Sequence, residues 1–319
     1  GVLVCWRNDL PVRSGRTIDG FCRVLNDPAH AALLRDDGRL RRKLAVYGVR
    51  FEPENAGEAA RKNRPWLADS GAERWEIGVF DMAVIGIRRR SNGRRGDETA
   101  GNNDSPRKLA RLARYAARTV YGAGLDFAVV AVRLEGARGA VVERIDPAPE
   151  PSDEEWAPWR DALSALAAGA GEAGKGETVL GMDPEFVLLN ENGKVVPASR
   201  FFAKEGIVGC DNATVPGRSD THPLAELRPA PDREPEMLIR GLRRAMWSAA
   251  SHIADPGLKW VAGAMPVPGL PVGGHIHISG VPLNGALVRA LDNYLALPLA
   301  LFEDETAAKR RKKYGRPGD

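Results

Sequence analysis

Thr178-Val179-Leu180-Gly181-Met182-Asp183-Pro184-Glu185-Phe186-Val187-Leu188-Leu189 is the stretch that decides the fold. It is apolar enough for a buried strand, yet it carries two carboxylates two residues apart. Strand side chains alternate faces, so Asp183 and Glu185 are expected on the same face. Asn190-Glu191-Asn192-Gly193 follows, a hairpin signal that makes the sheet antiparallel here. Downstream, Gly273-Gly274-His275-Ile276-His277-Ile278-Ser279 repeats the spacing with imidazoles, placing His275 and His277 on one face of another strand. Between these segments lies Glu226-Leu227-Arg228-Pro229, with Arg228 on the strand face of Glu226. Carboxylates clustered with imidazoles on a sheet suit Mg²⁺ or Mn²⁺ held against a nucleotide phosphate. The pattern predicts a metal-dependent active site.

Around this stretch the C-terminal half reads as strands joined by hairpins, with helices to one side. Lys194–Phe202, Ile207–Asp211, Leu224–Arg228, Trp260–Met265 and His275–Gly280 are expected strands. Glu234–Ala254 is an expected amphipathic helix with apolar positions Met237, Leu238, Leu242, Ala245, Met246 and Ala249. A long helix is expected from Leu283 to about Glu305. The class is therefore α+β with an antiparallel sheet. Pro147-Ala148-Pro149-Glu150-Pro151 and the Gly-rich run 169–176 mark a break. The expected division is a domain over 1–150, a linker over 151–176 carrying a short helix, and a second domain over 177–319. In the first domain, Pro28–Tyr47 and Arg107–Tyr121 are expected helices. Val2–Cys5, Trp75–Phe80, Ala83–Arg88, Phe127–Leu134 and Ala140–Ile145 are expected strands, and Arg94–Asp104 a polar loop.

Composition narrows the classes. With 319 residues, 43% hydrophobic and 28% charged, the chain suits a protein of two globular domains. A net charge of +4 does not by itself point to nucleic acid. Cys5, Cys22 and Cys210 lack metal or disulfide spacing, which suits a reducing, cytoplasmic interior. No apolar run reaches the roughly 18 residues of a membrane span, so no membrane partner is expected.

Four segments in order resemble the carboxylate–amine ligases of the glutamine synthetase-like superfamily, in particular the phage-associated COOH–NH2 ligase type 2 group. They are Gly181–Phe186 with Val196–Ser199; Gly209-Cys210-Asp211 leading to Glu226–Pro231; Gly273–His277; and Leu291-Asp292 through Arg310–Gly315. The resemblance implies a glutamine synthetase-like catalytic domain that joins a carboxylate to an amine through an acyl phosphate at the expense of ATP. It implies Asp183, Glu185, Glu226 and His275 as ligands for Mg²⁺ or Mn²⁺. It implies Gly273, Gly274, His277, Arg310 and Arg311 as nucleotide contacts. The partners implied are small-molecule or peptide carboxylates and amines. The family pattern continues past Tyr-Gly-x-x-Gly-Asp into a further strand, whereas this sequence stops at Tyr314–Asp319, so the domain is expected to be truncated there.

The residues support the same chemistry. A carboxylate is a poor electrophile, and phosphorylation makes its oxygen a leaving group. The transfer needs divalent metal and cationic side chains. Gly273 and Gly274 would let backbone approach phosphate. Arg228 would grip a substrate carboxylate, and Asp211 would orient or deprotonate the amine. Each has a structural reading beside the functional one. Asp183 before Pro184 would start a turn, Glu226 would pair with Arg228, and the imidazoles would be ordinary strand residues. Asp211 would be structural, and Lys309–Lys313 a solvated helix end. Two rival functions also follow: an inactive scaffold for a peptide, cell-wall fragment or nucleic acid, and a zinc hydrolase using His275 and His277. His30, His222 and His252 complete no zinc set for the latter.

Residues 20–150 resemble a shrunken ATP-grasp module. The resemblance is carried by Val24–Asp27, Glu73–Phe80, Gly124–Val130 and Val142–Pro147. The acid expected within Val129–Val132 is missing, and Arg144 stands where a Glu is expected. The departures imply a degenerate domain that docks or presents substrate.

Overall fold

The structure, a computed structural model, describes residues 3–4, 22–23, 25–26, 28–53, 72–90, 104–136, 139–153, 155–172, 176–214 and 219–311. The described residues fall into two compact units. One draws on Gly1–Gly171 and Leu283–Pro298, the other on Glu172–Pro282 and Leu299–Tyr314. Both are α+β with antiparallel sheets.

In the first unit, the two-residue strands β1 (Leu3–Val4) and β2 (Cys22–Arg23) pair in parallel. The main sheet has the order β4-β3-β5-β6, from β3 (Arg74–Phe80), β4 (Ala83–Arg90), β5 (Phe127–Leu134) and β6 (Ala140–Asp146). Alternation along β5 gives it two apolar faces. Ala128, Val130 and Val132 meet the helices α2 (Asp37–Val46) and α3 (Pro106–Ala123), while Phe127 and Val129 meet α4 (Trp156–Glu172). Pro106 opens α3 and Gly124, at φ 85°, closes it. The single helix expected over Pro28–Tyr47 is two, α1 (Pro28–Leu33) and α2, because Asp36 caps α2 by accepting the Arg39 N–H at 2.9 Å.

The expected linker also differs. Trp159, Ala162, Leu163 and Leu166 recur at i, i+3, i+4 and i+7, so α4 has an apolar stripe that packs with Leu25, Phe80 and Phe127. Trp159 is 5% exposed and meets Phe127 edge-on at 6.1 Å.

A second difference concerns the segment after Pro282. Helix α6 (Gly285–Leu291), capped by Asn284, belongs to the first unit. Its Gly285 N–H donates to Asp81 at 2.9 Å. Arg289 donates to the Leu125 carbonyl at 2.7 Å, and the Tyr121 hydroxyl donates to Asp292 at 2.6 Å. Burial, then the Asp292 carboxylate, push the Tyr121 phenol well above its ordinary range. A π-turn (Asp292–Ala296) leads into α7 (Leu297–Phe302), and α8 (Glu305–Arg311) follows a break. Against the sequence expectation, Gly285–Phe302 is long and apolar enough to cross a bilayer by length and composition, with mean hydropathy 1.2.

In the second unit, β7 (Val179–Met182) pairs with β13 (Ile276–Ser279). The larger sheet has the order β10-β11-β8-β12, from β8 (Glu185–Leu189), β10 (Val208–Cys210), β11 (Leu224–Leu227) and β12 (Lys259–Val261). The short β9 (Val195–Val196) returns on β8 through the expected hairpin, with Gly193 at φ 71°. Helix α5 (Pro235–His252) covers one face, where Ala245, Ala249 and Leu242 meet Phe186, Leu188, Ala225 and Leu227. Met237 and Met246, expected on that buried stripe, are 40% and 47% exposed. Val187 and Leu224 face the other way with Val272. Glu185 and Glu226 sit at successive alternate positions on that same side.

Candidate active site

The long strand expected over Thr178–Leu189 is divided at Asp183-Pro184, where it changes partners. Its first half pairs with β13, and that register runs on past the strand end. The Asp183 N–H donates to the His275 carbonyl at 3.2 Å, and the Glu185 N–H to the Gly273 carbonyl at 3.0 Å. Its second half pairs with β11, placing Glu185 directly opposite Glu226. Pro184 lies between these two bonds and faces the other side, where its carbonyl accepts the Leu227 N–H at 3.0 Å. One chain segment thus ties imidazoles on one side to acids on the other.

Asp183 stands between the two imidazoles. Its Oδ1 lies 3.0 Å from His275 Nδ1 and accepts the His275 backbone N–H at 2.6 Å, while Oδ2 lies 3.0 Å from His277 Nε2. Burial raises this carboxyl, but the hydrogen bonds from His277 and His275 outweigh it and hold the group below its ordinary range. Asp183 is 17% exposed, whereas the rings of His275 and His277 are 69% and 62% exposed. Among the described residues, these are the one group of three such donors whose ligand atoms lie within 4.8 Å of one another. The sequence reading put His277 with the nucleotide contacts. Its place beside Asp183 depends on the β7–β13 register, for which the two-residue spacing was the available signal.

Glu185 accepts the Gly273 N–H at 2.8 Å. Burial, then the charges of Asp211 and Glu226, push its carboxyl up against the opposing pull of Gly273 and His275. Asp211 accepts the Ala213 N–H at 3.0 Å, an Asx-type turn that orients it.

Arg228 pairs with Glu226, the structural reading given beside its functional one. Its Nε and Nη2 donate to Glu226 Oε2 at 3.0 and 2.5 Å, Nη1 to the Lys204 carbonyl at 2.9 Å, and Nη2 to the Cys210 carbonyl at 3.2 Å. Nε, Nη1 and Nη2 each make a bond, so the guanidinium acts as a clamp on Glu226. Both contacts to the acid go to Oε2, which leaves Oε1 for another partner. The glycines divide as well. Gly274, at φ 152°, lies where a Cβ would sit 2.9 Å from Pro184 Cα, so its freedom serves the approach of two backbones. Gly273 has open space at its Cβ position, but its N–H is taken by Glu185. Arg310 and Arg311 end α8, and their side chains lie outside the described residues, as does Tyr314–Asp319.

In the first unit, Arg144 donates to Glu76 at 2.8 Å where the ATP-grasp resemblance expects an acid. A cleft of about 90 Å³ in this unit is lined by Glu76, Gly78, Ile85, Arg88, Val129 and Trp159, among others. None of the predicted site residues lines it.

Residues 180–319 match the family described as phage phiEco32-like COOH–NH2 ligase type 2. The expected carboxylate–amine ligase agrees with that match. No curated protein matches the chain. Among solved structures, it is similar to the ATP-grasp ligase PsnB complexed with minimal precursor, at 13% identity and TM-score 0.33, over 46% of this chain and 65% of that one. It is similar to PsnB complexed with precursor peptide PsnA2 and AMPPNP at 16% identity and TM-score 0.36, over 47% and 63%. The L-amino acid ligase from Bacillus licheniformis gives 10% identity and TM-score 0.32, over 75% and 80%. The chain spans less than two thirds of the length of the PsnB structures it matches.

Proposed function

We propose that the second unit is the catalytic part of an ATP-dependent carboxylate–amine ligase, with a glutamine synthetase-like arrangement of its sheet. The observation that carries this reading is the meeting of Asp183, Glu185, Glu226 and His275 where one chain segment passes from one sheet to the next. The family match over residues 180–319 supports it. Asp183, Glu185, Glu226 and His275 would hold Mg²⁺ or Mn²⁺, and hard carboxylate oxygens fit those ions. Divalent cation there supplies neutralisation of phosphate charge during transfer to the substrate carboxylate.

The side chains divide the remaining work. Arg228 fixes the orientation of Glu226 through Oε2. The Gly273 N–H holds Glu185 toward the same side. Asp211, whose charge is felt at Glu185, is the group placed to receive a proton from the attacking amine. His277, Gly273, Gly274, Arg310 and Arg311 complete the proposed nucleotide contacts. The substrates are a small-molecule or peptide carboxylate and an amine, and a cytoplasmic location fits the use of ATP. The first unit, with Arg144 paired to Glu76, is a degenerate ATP-grasp-like domain that presents substrate.

ADP release with Mg²⁺ across panels of carboxylates and amines tests the proposal. Turnover is expected to require both substrates and to fall by about 10³-fold or more in Glu185→Gln, as for loss of a group stabilising transition-state charge. ADP release that ignores the amine, or an unaffected Glu185→Gln, would overturn it. A folded protein with no turnover on any pair would favour a scaffold.

A further inference from the structure

We infer that the outer face of helix α5 is a docking surface for an acidic peptide that carries apolar side chains among its carboxylates. That such a peptide is the substrate rests on the ligase reading; the docking itself does not.

The inner face of the helix is accounted for. Leu242, Ala245 and Ala249 pack on the sheet, and Leu238 is buried one turn before them. The outer face is not that of a solvated helix. Ile239, Met246 and Trp247 are 42%, 47% and 78% exposed. They share that side with the exposed Arg240, Arg243 and Arg244. At 3.6 residues per turn, Ile239, Arg243 and Met246 form one row at i, i+4 and i+7, and Arg240, Arg244 and Trp247 form the row beside it. The two rows run for about 12 Å at 1.5 Å per residue. Between Pro235 and His252 the one acid is Glu236. Among the described residues no carboxylate pairs with Arg240, Arg243 or Arg244, and Arg240 Nη1 lies 3.8 Å from Met237 Sδ.

Tryptophan, methionine and arginine together, without lysine, are the composition of the centre of a protein interface. Charge and shape decide what fits. A second copy of the chain docking by this face would bring its arginines onto these, so self-association is opposed. A bilayer requires an unbroken apolar strip, and Arg243 interrupts the one from Ile239 to Met246. A nucleic-acid backbone would meet the arginines but leave Ile239 and Met246 uncovered, and one indole on a convex helix is no stacking groove. A peptide with carboxylates one helical turn apart satisfies both rows. Its acids take paired bonds from the guanidinium groups, and an apolar side chain between them covers Trp247 and Met246.

The test uses the full chain and a fluorescein-labelled helical peptide of glutamate with leucine at i, i+3, i+4 and i+7, read by anisotropy. Binding is expected, weakening as salt rises. It should fall about 30-fold in Trp247→Ala and about tenfold in Arg243→Glu. Both side chains stand on the solvent side, so circular dichroism and thermal unfolding should be unchanged in the two variants. The same peptide with lysine for glutamate should not bind. No binding of the acidic peptide, or equal binding in the two variants, would overturn the inference. So would a preference for phosphatidylserine vesicles, an oligonucleotide or a second copy of the chain that is lost in the same variants. ADP release is scored separately. With the acidic peptide as carboxylate substrate, Trp247→Ala should raise KM about 30-fold at unchanged kcat and leave KM for a small carboxylate as it was. Turnover of small substrates without peptide binding rejects this face and spares the ligase; peptide binding without any turnover does the reverse.

Discussion

Substituting Gly209 by Ala isolates the clamp on Glu226. A Cβ at 209 would overlap Arg228 Nη1 and lie 2.8 Å from the Lys204 carbonyl oxygen, so the guanidinium must leave its slot. Leaving breaks its bonds to Lys204, Cys210 and Glu226. Breaking a fully buried ion pair costs about 3–5 kcal/mol. Arg228 is 32% exposed and Glu226 13%, so water recovers part of this, and a cost of about 2–3 kcal/mol follows after that discount. Arg228→Ala alone should cost a similar amount, because Glu226 is then left beside Glu185 without its counter-ion. In the double variant the crowding of Lys204 remains and the guanidinium is already gone. Its total should fall short of the sum of the singles by about 2 kcal/mol. Amide exchange at Val208–Cys210 and Leu224–Leu227 reads the local opening free energy directly. Strict additivity would refute the reasoning, since Gly209 would then act by some route other than Arg228.

Two further outcomes follow from the first unit. Burial raises the Glu135 carboxyl, but Arg133 and Arg50 outweigh it and hold the group below its usual 4.5, so its stabilisation is present above that value and lost as pH falls through the lower folded one. Glu135→Gln should therefore cost about 1–3 kcal/mol in urea unfolding at pH 7 and almost nothing near pH 2; an equal cost at both would remove the ion pair as its cause. Trp159→Ala should cost about 3–5 kcal/mol in the unfolding of this unit, whereas a residue in a loose linker would register under about 0.5 kcal/mol.

Spacing along a strand was legible, and partnership between strands was not. The i, i+2 rule placed Asp183 with Glu185, His275 with His277 and Glu226 with Arg228, because it depends only on the pleat. It offered the pairing of Arg228 with Glu226 as one reading, but could not give the slot that takes the guanidinium, which is made by Gly209 on a neighbouring strand and by the Lys204 carbonyl. The packing of α4 is a different case: Trp159, Ala162, Leu163 and Leu166 carry a legible helical period, overshadowed by prolines before it and glycines after it. Asp183 shows the limit most sharply. Whether it met the imidazoles or merely began a turn depended on the register with β13, which the Asp183 N–H to His275 and the Glu185 N–H to Gly273 hold. Glu185 holds both registers at once, its N–H on the Gly273 carbonyl and its backbone opposite Glu226. Without that double register the same acids and imidazoles would be present in the sequence with no junction to bring them to one place.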